Sequence, residues 1–208
     1  MKKSLIIISA CQFTRVALLS FIPKDRYIVR EYSNVTSELE TVLKTSCGYL
    51  LADIPSLHSG EQVLLACLLR LRTDVGQWQV SLTGDSDWFD NSPVSSLYKS
   101  FPYIDAILTV SNYHNQIIRW LLRPLPSDIR NLELLTTREL GVLKLLMQGI
   151  RFSKAACYEK RSSQTLHSIA RRALTKLEVK KLIDFKMLYS GCSKNKMKIN
   201  IQSHAKDI

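Results

Sequence analysis

No apolar run in this chain approaches the roughly 20 residues that a helix needs to cross a bilayer. The opening Lys2-Lys3-Ser4 before Leu5 to Ile8 faintly resembles a secretory leader. Its apolar run breaks at Cys11-Gln12 and Thr14-Arg15, and no small-residue cleavage site follows, so a buried first strand is the better reading. A C-x-x-C pair is also missing. The five cysteines are scattered and odd in number, which speaks against zinc and a disulfide framework and suits a reducing cytoplasm, the expected location. Nor does any Ser-His-Asp, metal-ligand or P-loop spacing stand out. The chain is therefore not expected to be an enzyme, and no catalytic residue, metal or cofactor is assigned.

What is present is an ordinary globular composition, 46% apolar, over 208 residues, enough for two small domains. The net charge of +11 is unevenly spread. Up to Leu125 there are 12 Lys/Arg against 11 Asp/Glu, whereas from Pro126 onward there are 17 against 7. A cationic surface confined to one end attracts polyanions by counterion release; nucleic acid and an anionic membrane both qualify, so charge alone does not choose.

The first half alternates strand-like and helix-like segments. Leu5 to Ile8, Tyr27 to Val29, Tyr49 to Leu51, Trp78 to Leu82 and Ile104 to Val110 read as strands. Phe13 to Phe21, Val35 to Leu43, Val63 to Leu71 and Gln116 to Leu122 read as helices. Trp88 to Pro102 fits neither period. Such alternation predicts an α/β domain with a parallel sheet covered on both faces. Trp78 and Trp88 are expected in the core or against a partner. The prolines of Arg123 to Asp128 mark a linker.

Beyond it the pattern is purely helical. Thr136 with Glu139 forms a capping box, Leu140, Leu143 and Met147 make one apolar stripe, and Gly149 supplies a left-handed terminus. A short helix follows over roughly 153–159, then the turn Lys160-Arg161-Ser162. Ser162 caps a third helix whose apolar positions Leu166, Ile169, Ala170, Ala173, Leu174 and Leu177 fall on one side. His167, Ser168, Arg171, Arg172, Thr175 and Lys176 lie off that stripe. A fourth helix covers about 180–189. The expected organisation is 1–123 regulatory and dimerising, 124–130 linker, 131–190 DNA-binding and 191–208 a basic flexible tail carrying Lys194, Lys196 and Lys198.

Two short helices joined by a three- or four-residue turn place the second across the DNA major groove. Leu135 to Leu177 resembles the LuxR-type four-helix DNA-binding domain. LTTRELGVLKLLMQG matches the opening signature at Leu135, Thr136, Arg138, Glu139, Val142, Leu143 and Gly149, and the remainder at Ala156, Ser162, Thr165, Leu166, Lys176 and Leu177. The resemblance implies base reading by His167, Ser168 and Arg171. Phosphates are expected on Lys160, Arg161, Ser162, Thr165, Arg172 and Lys176. Three places depart from the family pattern: Gly141 replaces an acidic residue, Ser153-Lys154-Ala155 replaces Lys-Glu-Ile, and Ile169 replaces a histidine.

The first half more loosely resembles a response-regulator receiver domain. LIIISACQFTRVAL places strand, helix and Arg15 in receiver-like positions, and YLLADIP ends with Asp53 where the phosphate-accepting aspartate would stand. The acidic pair that holds Mg²⁺ is replaced by Ser9 and Ala10, and Thr109, Val110 and Ser111 stand where a lysine is expected. A lone carboxylate holds a hard divalent cation poorly. Asp53 is therefore a phosphoacceptor in position only. The combination is similar to degenerate regulators of capsule or fimbriae in enteric bacteria. It implies a phosphorylation-independent transcription regulator that binds double-stranded DNA as a homodimer or with a related regulator. The alternative is a protein-interaction modulator that pairs with a complete regulator and binds DNA weakly or not at all alone.

Overall fold

The computed structural model describes residues 2–73, 78–123 and 133–191. The 124–130 linker and the lysines of the 191–208 tail lie outside the described residues, apart from Gly191.

Five parallel strands form one sheet in the order β2-β1-β3-β4-β5: β1 Lys3–Ile8, β2 Tyr27–Tyr32, β3 Tyr49–Asp53, β4 Gln79–Gly84 and β5 Tyr103–Asp105. Leu5 to Ile8 are completely buried, because β1 lies inside the sheet with helices on both faces. The pleat divides it. Leu5 and Ile7 pack with Leu18, Ile117 and Trp120 under α1 (Gln12–Phe21) and α5 (Val110–Leu121). Ile6 and Ile8 pack with Leu39, Val42 and Val63 under α2 (Ser37–Thr45) and α3 (Ser59–Leu69). This is the α/β layer expected.

Local chemistry moves several boundaries. The strand expected over 104–110 stops at Asp105, whose carboxylate accepts from the Ile107 N–H at 2.9 Å and turns the chain. α5 consequently begins at Val110, not near Gln116, and Thr109 is its N-cap. α3 starts at Ser59 rather than Val63, since the Glu61 carboxylate accepts from the His58 N–H at 3.2 Å. The stretch without a period, Trp88 to Pro102, holds the end of α4 (Ser86–Asn91), which Asp85 caps, and a 3-10 segment, Pro93–Tyr98. Trp78 is core, its indole N–H donating to the Leu43 carbonyl at 3.2 Å.

The carboxy-terminal part is all-helical: α6 Thr137–Met147, α7 Phe152–Tyr158, α8 Ser163–Lys176 and α9 Leu182–Ser190. Thr136 and Glu139 form the reciprocal capping box, Thr136 N to Glu139 Oε2 at 2.8 Å and Glu139 N to Thr136 Oγ1 at 3.2 Å. Gly149 ends α6 in the left-handed conformation at φ +74°. The two lobes share one apolar core that runs from Ile6 to Phe185. Among the described residues no helix is long and apolar enough to cross a membrane.

Candidate nucleic-acid interface

α7 and α8 are joined by a tight turn with a specific bond pattern. The Arg161 N–H donates to the Ala156 carbonyl at 3.0 Å and Lys160 N–H to Cys157 at 3.4 Å, with Lys160 left-handed at φ +48°. Ser162 then caps α8, its hydroxyl accepting from the Thr165 N–H at 3.0 Å. Two short helices are thus joined by a turn of four residues, the connection that a helix-turn-helix requires.

α8 is divided lengthwise. Leu166, Ile169, Ala170, Ala173 and Leu174 are at most 5% exposed and bind it to α6 and α7. His167, Ser168, Arg171, Arg172 and Thr175 are all exposed. The three base-reading candidates therefore share one open face, with Arg172 beside them and Lys160, Arg161 and the capping hydroxyls at its amino end. A groove of about 920 Å³ runs along this face, lined by Phe152, His167, Arg171, Thr175, Lys180 and Lys181. The His167 ring rests on Phe152 with centroids 3.8 Å apart, which pins an otherwise solvent-facing imidazole. The Ser168 hydroxyl donates to the Gln164 carbonyl one turn back, at 3.1 Å.

Lys176 is placed differently. Its ammonium turns back to Glu139 Oε2 at 2.8 Å and to the Leu134 carbonyl at 2.9 Å. Burial works against ionised Glu139, but the Lys176 ammonium and the Thr136 donors outweigh it and hold the carboxyl below its usual range. The pair ties α8 to the start of α6. Ser162 and Thr165 are likewise engaged with each other, their hydroxyls 2.8 Å apart.

Sequence reasoning missed Arg70. This residue is 1% exposed; it donates from one terminal nitrogen to the Lys176 carbonyl at 2.8 Å and from the other to Leu97 at 3.0 Å, while its Nε has no partner. A buried guanidinium thus sits on the negative end of α8 and links it to the 3-10 segment of the first lobe. Backbone bonds from Leu135 to Arg70, 2.7 Å, and from Arg72 to Leu135, 2.9 Å, join the same regions. Lys144 of α6 pairs with Glu40 of α2. The one available signal was a charge closing an otherwise apolar helix.

At the carboxyl edge of the sheet Asp53 is 9% exposed and accepts from the Ser9 hydroxyl at 2.7 Å. The Ser56 hydroxyl donates to the Asp53 carbonyl at 2.8 Å and accepts from the Ala10 N–H at 2.9 Å. Burial pushes the Asp53 carboxyl above its usual range despite these hydroxyls. Thr109, Val110 and Ser111 lie beyond β5, at the start of α5. Among the described residues no three His, Cys, Asp or Glu side chains are grouped to hold a metal.

No protein-family model and no curated protein matches the chain. Among solved structures it is similar to full-length FixJ from B. japonicum, with 13% identity over 92% of this chain and 98% of that one, at a TM-score of 0.44. It is also similar to RcsB from Salmonella enterica serovar Typhimurium bound to promoter rprA, with 16% identity over 90% and 99% and a TM-score of 0.43. StyR, a response regulator, aligns over 92% and 100% at 13% identity and a TM-score of 0.40.

Proposed function

We propose that the chain is a sequence-specific DNA-binding transcription regulator whose carboxy-terminal lobe is a LuxR-type module. The observation that carries the reading is the lengthwise division of α8. Its apolar side is sealed in the helical lobe, and a contiguous polar, cationic side stays open while the two lobes are packed together. The roughly 12 Å major groove admits a helix presented in this way. Arg171 supplies the bidentate donor suited to guanine, with Ser168 and His167 beside it. Lys160, Arg161 and Arg172, with the amino end of α8 at Ser162 and Thr165, hold phosphates. Lys176 is left out of that set because its ammonium is committed to Glu139.

One short helix touches too few base pairs for genomic specificity, so the protein acts as a dimer. Asp53 stands alone behind Ser9 and Ser56, so the regulator works without phosphorylation. The resemblance to regulators of fimbriae makes surface-structure genes the expected targets.

Selection of binding sites from random duplexes, followed by titration of the preferred site against scrambled DNA, tests the reading. A preferred site bound about a thousandfold more tightly is the expected result. Equal affinity for all sequences overturns it, and binding that appears only with a second regulator identifies the interaction modulator instead.

A further inference from the structure

We propose that Arg70, a first-lobe residue, is a positioning residue for DNA reading: it completes the carboxyl end of α8 and so sets the pose in which His167, Ser168 and Arg171 are presented. The inference rests on the DNA-binding reading for its purpose, while the clamp itself can be tested without DNA. A helix leaves its last four carbonyls without partners inside the helix. In α8 those of Ala173, Leu174 and Thr175 accept from the N–H groups of Leu177, Val179 and Glu178 at 3.1, 2.9 and 2.9 Å, all within the helical lobe. The fourth, that of Lys176, accepts from the Arg70 guanidinium at 2.8 Å. The last donor of the recognition helix therefore comes from the other lobe.

The clamp is itself anchored. The other terminal nitrogen of Arg70 donates to the carbonyl of Leu97, a completely buried residue, at 3.0 Å. Beside it the Tyr98 hydroxyl donates to the Gln62 carbonyl, which ties the 3-10 segment to α3, the helix that Arg70 closes. The main chain at Arg70 and Arg72 pairs with Leu135, and the Lys176 ammonium reaches the Leu134 carbonyl. Lys176 is thus gripped through its main chain and its side chain together. At the amino end of α8 the cap is Ser162, from the same lobe. Arg171 stands five residues before Lys176, roughly 7.5 Å along the helix. A tilt of about ten degrees at the gripped end moves it by about 1 Å, more than the roughly 0.5 Å that a recognition site tolerates. Stability alone does not account for a guanidinium in this place. Burial works against its charge, and an apolar side chain of similar volume often sits in such a site at equal or lower cost. What an apolar side chain does not provide is a directed link between Leu97 and Lys176.

Amide hydrogen exchange on the full-length chain, without DNA, tests the clamp. Arg70→Met removes both donors and keeps an apolar stem; Arg70→Lys keeps the charge and can reach one carbonyl. In both, exchange at the Leu177, Glu178 and Val179 amides should quicken by about tenfold, while the Ala155 and Glu159 amides keep the parent rate. An equal rise at all five marks general loosening and overturns the proposal, as does no rise at the first three. Affinity titration reads the consequence. In Arg70→Met the preference for the selected duplex over scrambled DNA should fall about tenfold, with affinity for scrambled DNA within about twofold of the parent. Loss on both duplexes alike, or on neither, overturns the positioning role. Lys144→Ala, which cuts the α2–α6 ion pair, should leave both readouts as they are. The same losses from Lys144→Ala would assign them to docking of the lobes in general and overturn the role given to Arg70. If Arg70→Met does not fold, Arg70→Lys carries both comparisons. A parent chain without sequence preference fails the DNA-binding reading instead, and the exchange comparison still decides the clamp.

Discussion

The carboxyl edge of the sheet and the outer side of α8 are the two places where sequence patterning put chemistry, and they have been built in opposite ways. At the sheet edge Asp53 is closed in by Ser9 and Ser56, and its carboxyl is raised by burial. At α8 the polar positions from Gln164 to Thr175 off the apolar stripe face water, while Ser163 and Lys176 are half-buried. On the proposed reading the buried carboxylate with hydroxyl neighbours is a structural hydrogen-bond acceptor, and the row of donors on α8 is the recognition surface. Residue type alone does not separate these two cases, because both contain residues able to do chemistry; the partners of each side chain do.

The strongest way to sharpen this contrast is at Lys176. Lys176→Ala should lower stability by about 1.5–3 kcal/mol, the usual worth of a hydrogen bond to a charged group, by leaving the 5% exposed Glu139 without its cation. Urea titration measures it. The slope of log affinity against log salt should stay the same, whereas loss of a phosphate contact would reduce it by about 1.

Arg171→Ala comes next. It should cost about 1–3 kcal/mol at the preferred site and far less on random DNA, read by anisotropy titration of both. Equal losses on the two would reduce Arg171 to a phosphate contact and leave the open face without a base reader.

Much of the contrast was legible beforehand, and the reason is periodicity. Leu166 to Leu177 repeat at helical spacing, so burying them fixes which side of α8 is open. The Thr136–Glu139 cap and Gly149 follow from local chemistry and appear where their residue types demand. Contacts between distant segments left no such mark. Nothing local to Lys176 announces Glu139, 37 residues away, and Arg70 reaches Lys176 across 106 residues. The turn at Lys160-Arg161-Ser162 lies where the sequence reading puts it, although its left-handed residue is not glycine. The β5 boundary failed because Ile104 to Val110 alternates like a strand although Asp105 ends it.

Gly141 supplies a smaller effect of opposite sign. A methyl group there meets nothing within 4 Å, and the residue lies inside α6. Gly141→Ala should therefore raise stability by about 1 kcal/mol through lower backbone entropy in the unfolded chain, with DNA affinity unchanged. A loss of affinity on thermal and binding assays would mean that α6 needs the flexibility, which would extend the recognition surface beyond α7 and α8.

The smallest expected effect on DNA binding is at Asp53, where it is none. Asp53→Asn keeps an oxygen to accept from Ser9 and removes the charge, so affinity should be the same with or without a small phosphodonor and Mg²⁺. Stability should respond instead. Because burial raises the carboxyl above 3.8 in the folded chain, the native state binds its proton more tightly than the unfolded state does. The contribution of Asp53 is then most favourable in acid and declines as pH rises from about 3.8 through the folded value, levelling off above it. Glu40 and Glu139, both held below their usual range once their lysine partners outweigh burial, work in the other direction and are common to both proteins. The informative quantity is thus the difference between Asp53→Asn and the parent, which should open in favour of the asparagine as pH rises. A difference of the opposite sign at neutral pH would show that ionised Asp53 is stabilised by more than its hydroxyl neighbours, and would reopen the sheet edge as a working site.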